Sequence, residues 1–111
     1  MGKITVRNEN EMRMIDLEKL LAVTVADYLC TFHSEGNTSF SCTKSLKDAQ
    51  ALLPDYFVRI SRSCIVNTDK IVSIDLKNKK VIVTDNKEFL ISKTKSLNTV
   101  FKNTSERKFT S

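Results

Sequence analysis

Apolar residues in this chain recur at every second position, in short runs separated by turn-forming residues. That period belongs to strands whose two faces see different surroundings, and it limits the chain to a β-rich fold of hairpins. Residues 3–7 read Lys-Ile-Thr-Val-Arg, with Ile4 and Val6 on one side. Asn8-Glu9-Asn10 follows as a turn, and Met12, Met14 and Ile15 resume an extended, half-buried segment. Residues 20–26 are apolar and β-branched enough for a buried strand, which Ala26-Asp27-Tyr28 interrupts. Residues 28–33 and 38–43 form a strand pair around Ser34-Glu35-Gly36-Asn37, where Gly36 takes positive φ at little cost. Further strands are predicted over 71–76, with Val72, Ile74 and Leu76 on one face, over 80–84 and over 88–91. Turns at Asn67-Thr68-Asp69, around Asn78 and at Asp85-Asn86 separate them.

The period lengthens at residues 45–53. Leu46, Ala49, Leu52 and Leu53 fall on one helical face, Ser45 caps, Asp48 sits near the positive end of the dipole, and Pro54 stops the helix. Asp16-Leu17-Glu18-Lys19 reads as a single helical turn capped by Asp16. Ser92 caps a short final helix with Leu97, Val100 and Phe101 facing inward. The expected fold is mainly β: short antiparallel strands and hairpins, a short central helix and a short C-terminal helix.

The 111 residues suit one domain, here 3–103, with a polar, frayed tail over 104–111. Met1-Gly2 is either a native start or an appended remnant. No apolar run approaches the roughly 20 residues of a membrane span, and no signal-peptide core opens the chain. Cys30, Cys42 and Cys64 lie in apolar surroundings without a Cys-x-x-Cys pair, as expected of three reduced, buried thiols in a cytoplasmic protein. Catalysis is not expected. His33 is the only histidine and reads as a solvated strand residue, which leaves no zinc site. Gly36 is the only internal glycine, so there is no glycine-rich phosphate cradle. No cofactor or metal is expected.

Charge is the informative part of the composition. The formal net charge is +5, yet residues 1–55 carry six Lys or Arg against eight Asp or Glu, and residues 56–111 carry twelve against five. One face made for a polyanion is expected. Two basic corners stand out. In residues 56–67, Tyr-Phe-Val-Arg-Ile-Ser-Arg-Ser-Cys-Ile-Val-Asn, a strand breaks at Ser61-Arg62-Ser63 and resumes, offering a guanidinium between two buried anchors. Arg59 sits within the strand and either faces the polyanion or pairs with Asp55 or Asp69. The second corner, Ser92-Lys93-Thr94-Lys95-Ser96, follows a strand and opens a helix.

Taken together these features resemble the LytTR family of bacterial DNA-binding domains. The resemblance covers residues 3–103 and centres on Phe57-x-Arg59-x-x-Arg62-Ser63-x-x-Val66-Asn67, preceded by residues 46–54 and followed by Ile71 and Ile91-Ser92-Lys93. It implies a small, elongated, mainly β domain whose loops enter the grooves of double-stranded DNA. It also implies the output role of a two-component response regulator, placed after a receiver domain and binding promoter direct repeats as a homodimer, with no membrane partner. By position, the DNA-facing residues would be Tyr28 or its neighbour Asp27, Arg62 with Ser61, and Lys93, Thr94 and Lys95, with Asn67 structural; Arg59 and Ser63 join the candidate DNA-binding residues as the rest of the first basic corner. Where the family often carries His and Arg, this chain has Ser61 and Lys93, and lysine lacks the bidentate fork. A different reading of the same residues is a β-rich protein-interaction or ligand-sensing module with a basic face. Single-stranded RNA binding ranks last, since Tyr28 and Tyr56 are the only tyrosines, there is no Trp, and the phenylalanines read as buried.

Overall fold

The computed structural model describes residues 2–92. Among the described residues the strands are β1 Lys3–Arg7, β2 Met12–Asp16, β3 Leu20–Ala26, β4 Leu29–Ser34, β5 Thr38–Thr43, β6 Phe57–Ser61, β7 Cys64–Asn67, β8 Ile71–Asp75, β9 Lys80–Val83 and β10 Lys87–Leu90, with one α-helix, α1 Leu46–Ala51. A five-stranded sheet in the order β5-β4-β3-β7-β6 forms the centre, and every pairing is antiparallel. The β1-β2 ribbon and α1 contribute to the core on one face, and the β10-β9-β8 sheet contributes to the core on the other.

Alternation explains why both faces are apolar. In β7, Ile65 joins the first core with Val23, Phe32 and Phe57, while Cys64 and Val66 join the second with Leu21, Val81 and Val83. A strand buried on both faces reads as a continuous apolar run, and all four residues of β7 are buried. Arg13 and Asn8 of the ribbon region donate to the backbone carbonyls of Ser39 and Ser41 at 3.3 and 3.0 Å, occupying groups on the outer strand β5 that would otherwise seek a further strand.

The sequence-based expectations hold for most elements and fail at several places. Residues 57–67 are a hairpin, not one strand resuming after a kink: β6 and β7 pair antiparallel, and a register shift falls between Arg59 and Ser61. Tyr28 lies in the β3–β4 turn with φ 70°, outside β4. Asp16–Lys19 is not helical; the Asp16 carboxylate accepts the Glu18 N–H at 2.9 Å and its carbonyl accepts the Lys19 N–H at 3.0 Å, closing the turn from β2 to β3. In β8, Val72 is 69% exposed and Leu76, beyond the strand, is 68% exposed, whereas Ile71 and Ile74 pack on the core, because a register shift between Ile71 and Ser73 breaks the alternation. Leu52 is exposed at the end of α1, although Ser45 caps that helix as expected, accepting the Asp48 N–H at 3.0 Å. The expected C-terminal helix and the 104–111 tail lie outside the described residues. Among the described residues no helix is long and apolar enough to cross a membrane.

The three cysteines are buried and free. Burial raises the Cys64 thiol to about 12, so it stays protonated as a small apolar group. His33, expected in solvent, is half-buried: its Nε2 lies 2.8 Å from Thr24 Oγ1 and its ring 5.7 Å from that of Phe89. Burial, then the Lys87 charge, lowers its pKa below the usual histidine value. The unfolded chain therefore binds more protons than the folded one in the window below about 6.5. This contribution to stability is full above that window and is lost as pH falls through it. Thermal melts between pH 7 and 5 should show a smaller drop for His33→Gln than for the unsubstituted protein; parallel curves would exclude this origin.

Candidate nucleic-acid interface

One end of the central sheet collects charge from three separate parts of the chain. The β3–β4 turn brings Asp27 and Tyr28, the β5–α1 junction brings Lys44 and Lys47, and the β6–β7 hairpin brings Arg59 and Arg62. Together with Val25, Thr43, Ser45 and Leu46 they line an open groove of about 640 Å³. Four cations and one carboxylate around an exposed groove are suited to a polyanion that also presents hydrogen-bond donors.

The hairpin that carries Arg62 is braced from its own strand and from β3. Arg59 Nε donates to the Ser61 carbonyl at 3.2 Å and Arg59 Nη2 to the Arg62 carbonyl at 2.9 Å. The Val25 N–H donates to the Ser63 carbonyl at 2.9 Å. Arg62 and Ser63 have no positive φ, so the two-residue turn is not of the primed type that hairpins favour. The irregularity between Arg59 and Ser61 supplies extra twist there. Arg62 is exposed and forms no salt bridge among the described residues. Arg59 thus acts on the turn backbone, and Arg62 is the guanidinium presented outward.

Ser61 and Ser63 face the other side of the hairpin tip. Ser61 Oγ accepts the Ser63 N–H at 3.3 Å, and both line a hollow with Thr24, Cys64 and residues 88–92. Ser92 is held there, its N–H donating to the Ile60 carbonyl at 2.8 Å. The first basic corner and the start of the second are therefore neighbours across β6. Lys93, Thr94 and Lys95 lie outside the described residues.

Sequence reasoning missed Lys44 and Lys47. Each resembles an ordinary solvent lysine beside a helix cap, and only the sheet order brings them to Arg62. Asn67 is structural as expected: it is buried, and its side-chain amide donates to the Leu20 carbonyl at 2.8 Å and accepts the Asp69 N–H at 2.9 Å.

The family model of the LytTr DNA-binding domain matches residues 10–102. A solved LytTr DNA-binding domain from Bacillus cereus, assigned to a methyl-accepting/DNA response regulator, has the same fold, with a TM-score of 0.71 and 19% sequence identity over 96% of this chain and 95% of that chain. No curated protein matches the chain.

Proposed function

This chain belongs to the LytTr family of DNA-binding domains, and from that premise we propose that it reads specific promoter sequences as the output domain of a two-component response regulator. DNA binding in transcription regulation follows from the family; sequence discrimination, the receiver upstream and pairing of two copies on direct repeats are the proposed part. The domain would span 3–103, act without catalysis and work in the cytoplasm. The observation that carries the reading is the groove in which Lys44, Lys47, Arg59 and Arg62 surround the Asp27-Tyr28 turn.

The proposed division of labour follows from side-chain chemistry. Lys44 and Lys47, with Lys93 and Lys95 from the second corner, neutralise phosphates as compact charges. Ser61, Ser63 and Thr94 donate to phosphate oxygens and fix register. Arg62 reaches a base edge with its fork, and Arg59 holds Arg62 in place. If about five phosphates are neutralised, log K should fall against log salt with a slope of roughly −4 to −5. Fluorescence anisotropy on a labelled duplex from 50 to 300 mM salt, about the range where counterion release dominates, measures it. A slope near zero would instead favour a protein- or ligand-binding module with a basic face.

A further inference from the structure

The groove contains a residue that a phosphate-binding surface should avoid. Asp27 lines it beside Lys44, Lys47, Arg59 and Arg62, yet its carboxylate makes no salt bridge among the described residues. An exposed carboxylate there weakens attraction for any featureless polyanion. The backbone is unusual at the same point. Asp27 has φ 50° and Tyr28 φ 70°, between the paired residues Ala26 and Leu29. A two-residue turn with both φ positive is most cheaply filled by Asn-Gly. Aspartate tolerates this conformation, but a tyrosine in it is strained. That tyrosine is also 87% exposed, so burial of its ring in the free protein does not offset the strain. Strain held at an exposed tip is a mark of a functional position.

We propose that the Asp27-Tyr28 turn is a base-reading element that selects cytosine in the major groove. The inference rests on the DNA-binding reading above and assigns a base class to that site. A carboxylate only accepts hydrogen bonds, so among groove edges it needs an amino group. Cytosine offers N4–H₂ as a donor. Adenine also offers an amino group, but its N7 acceptor lies beside it and opposes a carboxylate. Flanking cations on phosphates hold the turn over the bases, and the Tyr28 ring shields the hydrogen bond from water. The same carboxylate acts against non-cognate DNA, where it meets no donor.

The chemistry specifies the test. Asparagine at position 27 is suited to adenine, donating to N7 and accepting from N6. Duplexes would be selected from a randomised pool by the unsubstituted domain and by Asp27→Asn, then bound individually. The unsubstituted domain should enrich a G·C pair at one fixed position, and Asp27→Asn should enrich A·T there with the other positions unchanged. Each protein should prefer its own site over the other's by about ten-fold. The double variant Asp27→Asn/Tyr28→Gly, which has the least strained turn, should melt several degrees higher and lose about ten-fold on the unsubstituted domain's site. Identical sites enriched by both proteins overturn the inference while leaving DNA binding intact. A double variant that holds the original site undiminished also overturns it. Failure of the unsubstituted domain to enrich any sequence overturns the sequence-specific reading, and this inference with it.

Discussion

Arg62→Ala should lower affinity for a selected duplex by about ten- to a hundred-fold while changing affinity for random duplex far less. A bidentate guanidinium on a guanine edge is worth about 1–3 kcal/mol of discrimination, and that contact exists only on the right sequence. The proposed reading gives Arg62 that contact. Its turn backbone is held by Arg59 at 2.9 Å and, at Ser63, by Val25 at 2.9 Å, so the ordering cost at the tip is largely met before DNA arrives. Arg62→Lys separates charge from geometry: it should keep the salt slope and lose discrimination nearly as far as alanine does. Lys47→Ala is the contrast, since a phosphate contact should weaken both duplexes alike and reduce the salt slope by about one. Gel shifts with the two duplexes at fixed salt decide it. Equal losses on both for Arg62→Ala would make Arg62 a phosphate contact and remove it from sequence readout.

Much of the fold could be read from alternation because burial on two sheet faces imposes it. Residues 3–7, 20–26 and 38–43 read as strands with the bounds the structure has. Two of the differences share one cause. Ser61-Arg62-Ser63 contains none of the Gly, Asn, Asp or Pro that advertise a hairpin, and the irregularity between Arg59 and Ser61 lets ordinary residues make the reversal. The register shift beside Val72 defeats the period count in the same way, because a single extra residue inverts the faces beyond it. At Asp16 the reason is different: a side-chain oxygen that accepts a nearby backbone N–H serves a helix cap and a tight turn equally well. At the site, residue type was legible and assembly was not. Arg62 stands out as a displayed cation, but apart from Arg59 its partners in the groove come from 15 or more residues earlier in the chain, joined through the order β5-β4-β3-β7-β6.

Asn67→Ala should destabilise the domain by about 3 kcal/mol, a fall of roughly 10–15 °C in Tm for a chain of this size. Asn67 is 1% exposed, so water does not replace what the substitution removes. Its Nδ2 donates to the Leu20 carbonyl at 2.8 Å and lies 3.5 Å from that of Leu17, and its Oδ1 accepts the Asp69 N–H at 2.9 Å. One amide therefore joins the end of β7 to the start of β3, 47 residues away, and caps the turn leading to β8. Alanine strands the Leu20 carbonyl in a buried site, at a cost of about 1–3 kcal/mol, and also removes the partner of the part-buried Asp69 N–H. Asn67→Asp discriminates between lost volume and lost donor. It keeps the shape and the acceptor for Asp69, yet sets a carboxylate against the Leu20 carbonyl, so at pH 7 it should be less stable than the alanine variant. Acidification protonates that carboxyl and restores a donor, so Asn67→Asp should gain on Asn67→Ala as pH falls from 7 toward 5. Urea unfolding of both variants across that range provides the measurement. A loss below about 0.5 kcal/mol for Asn67→Ala, the size of an ordinary surface change, would mean that the β3–β7 junction is held by the surrounding apolar packing instead of by this side chain.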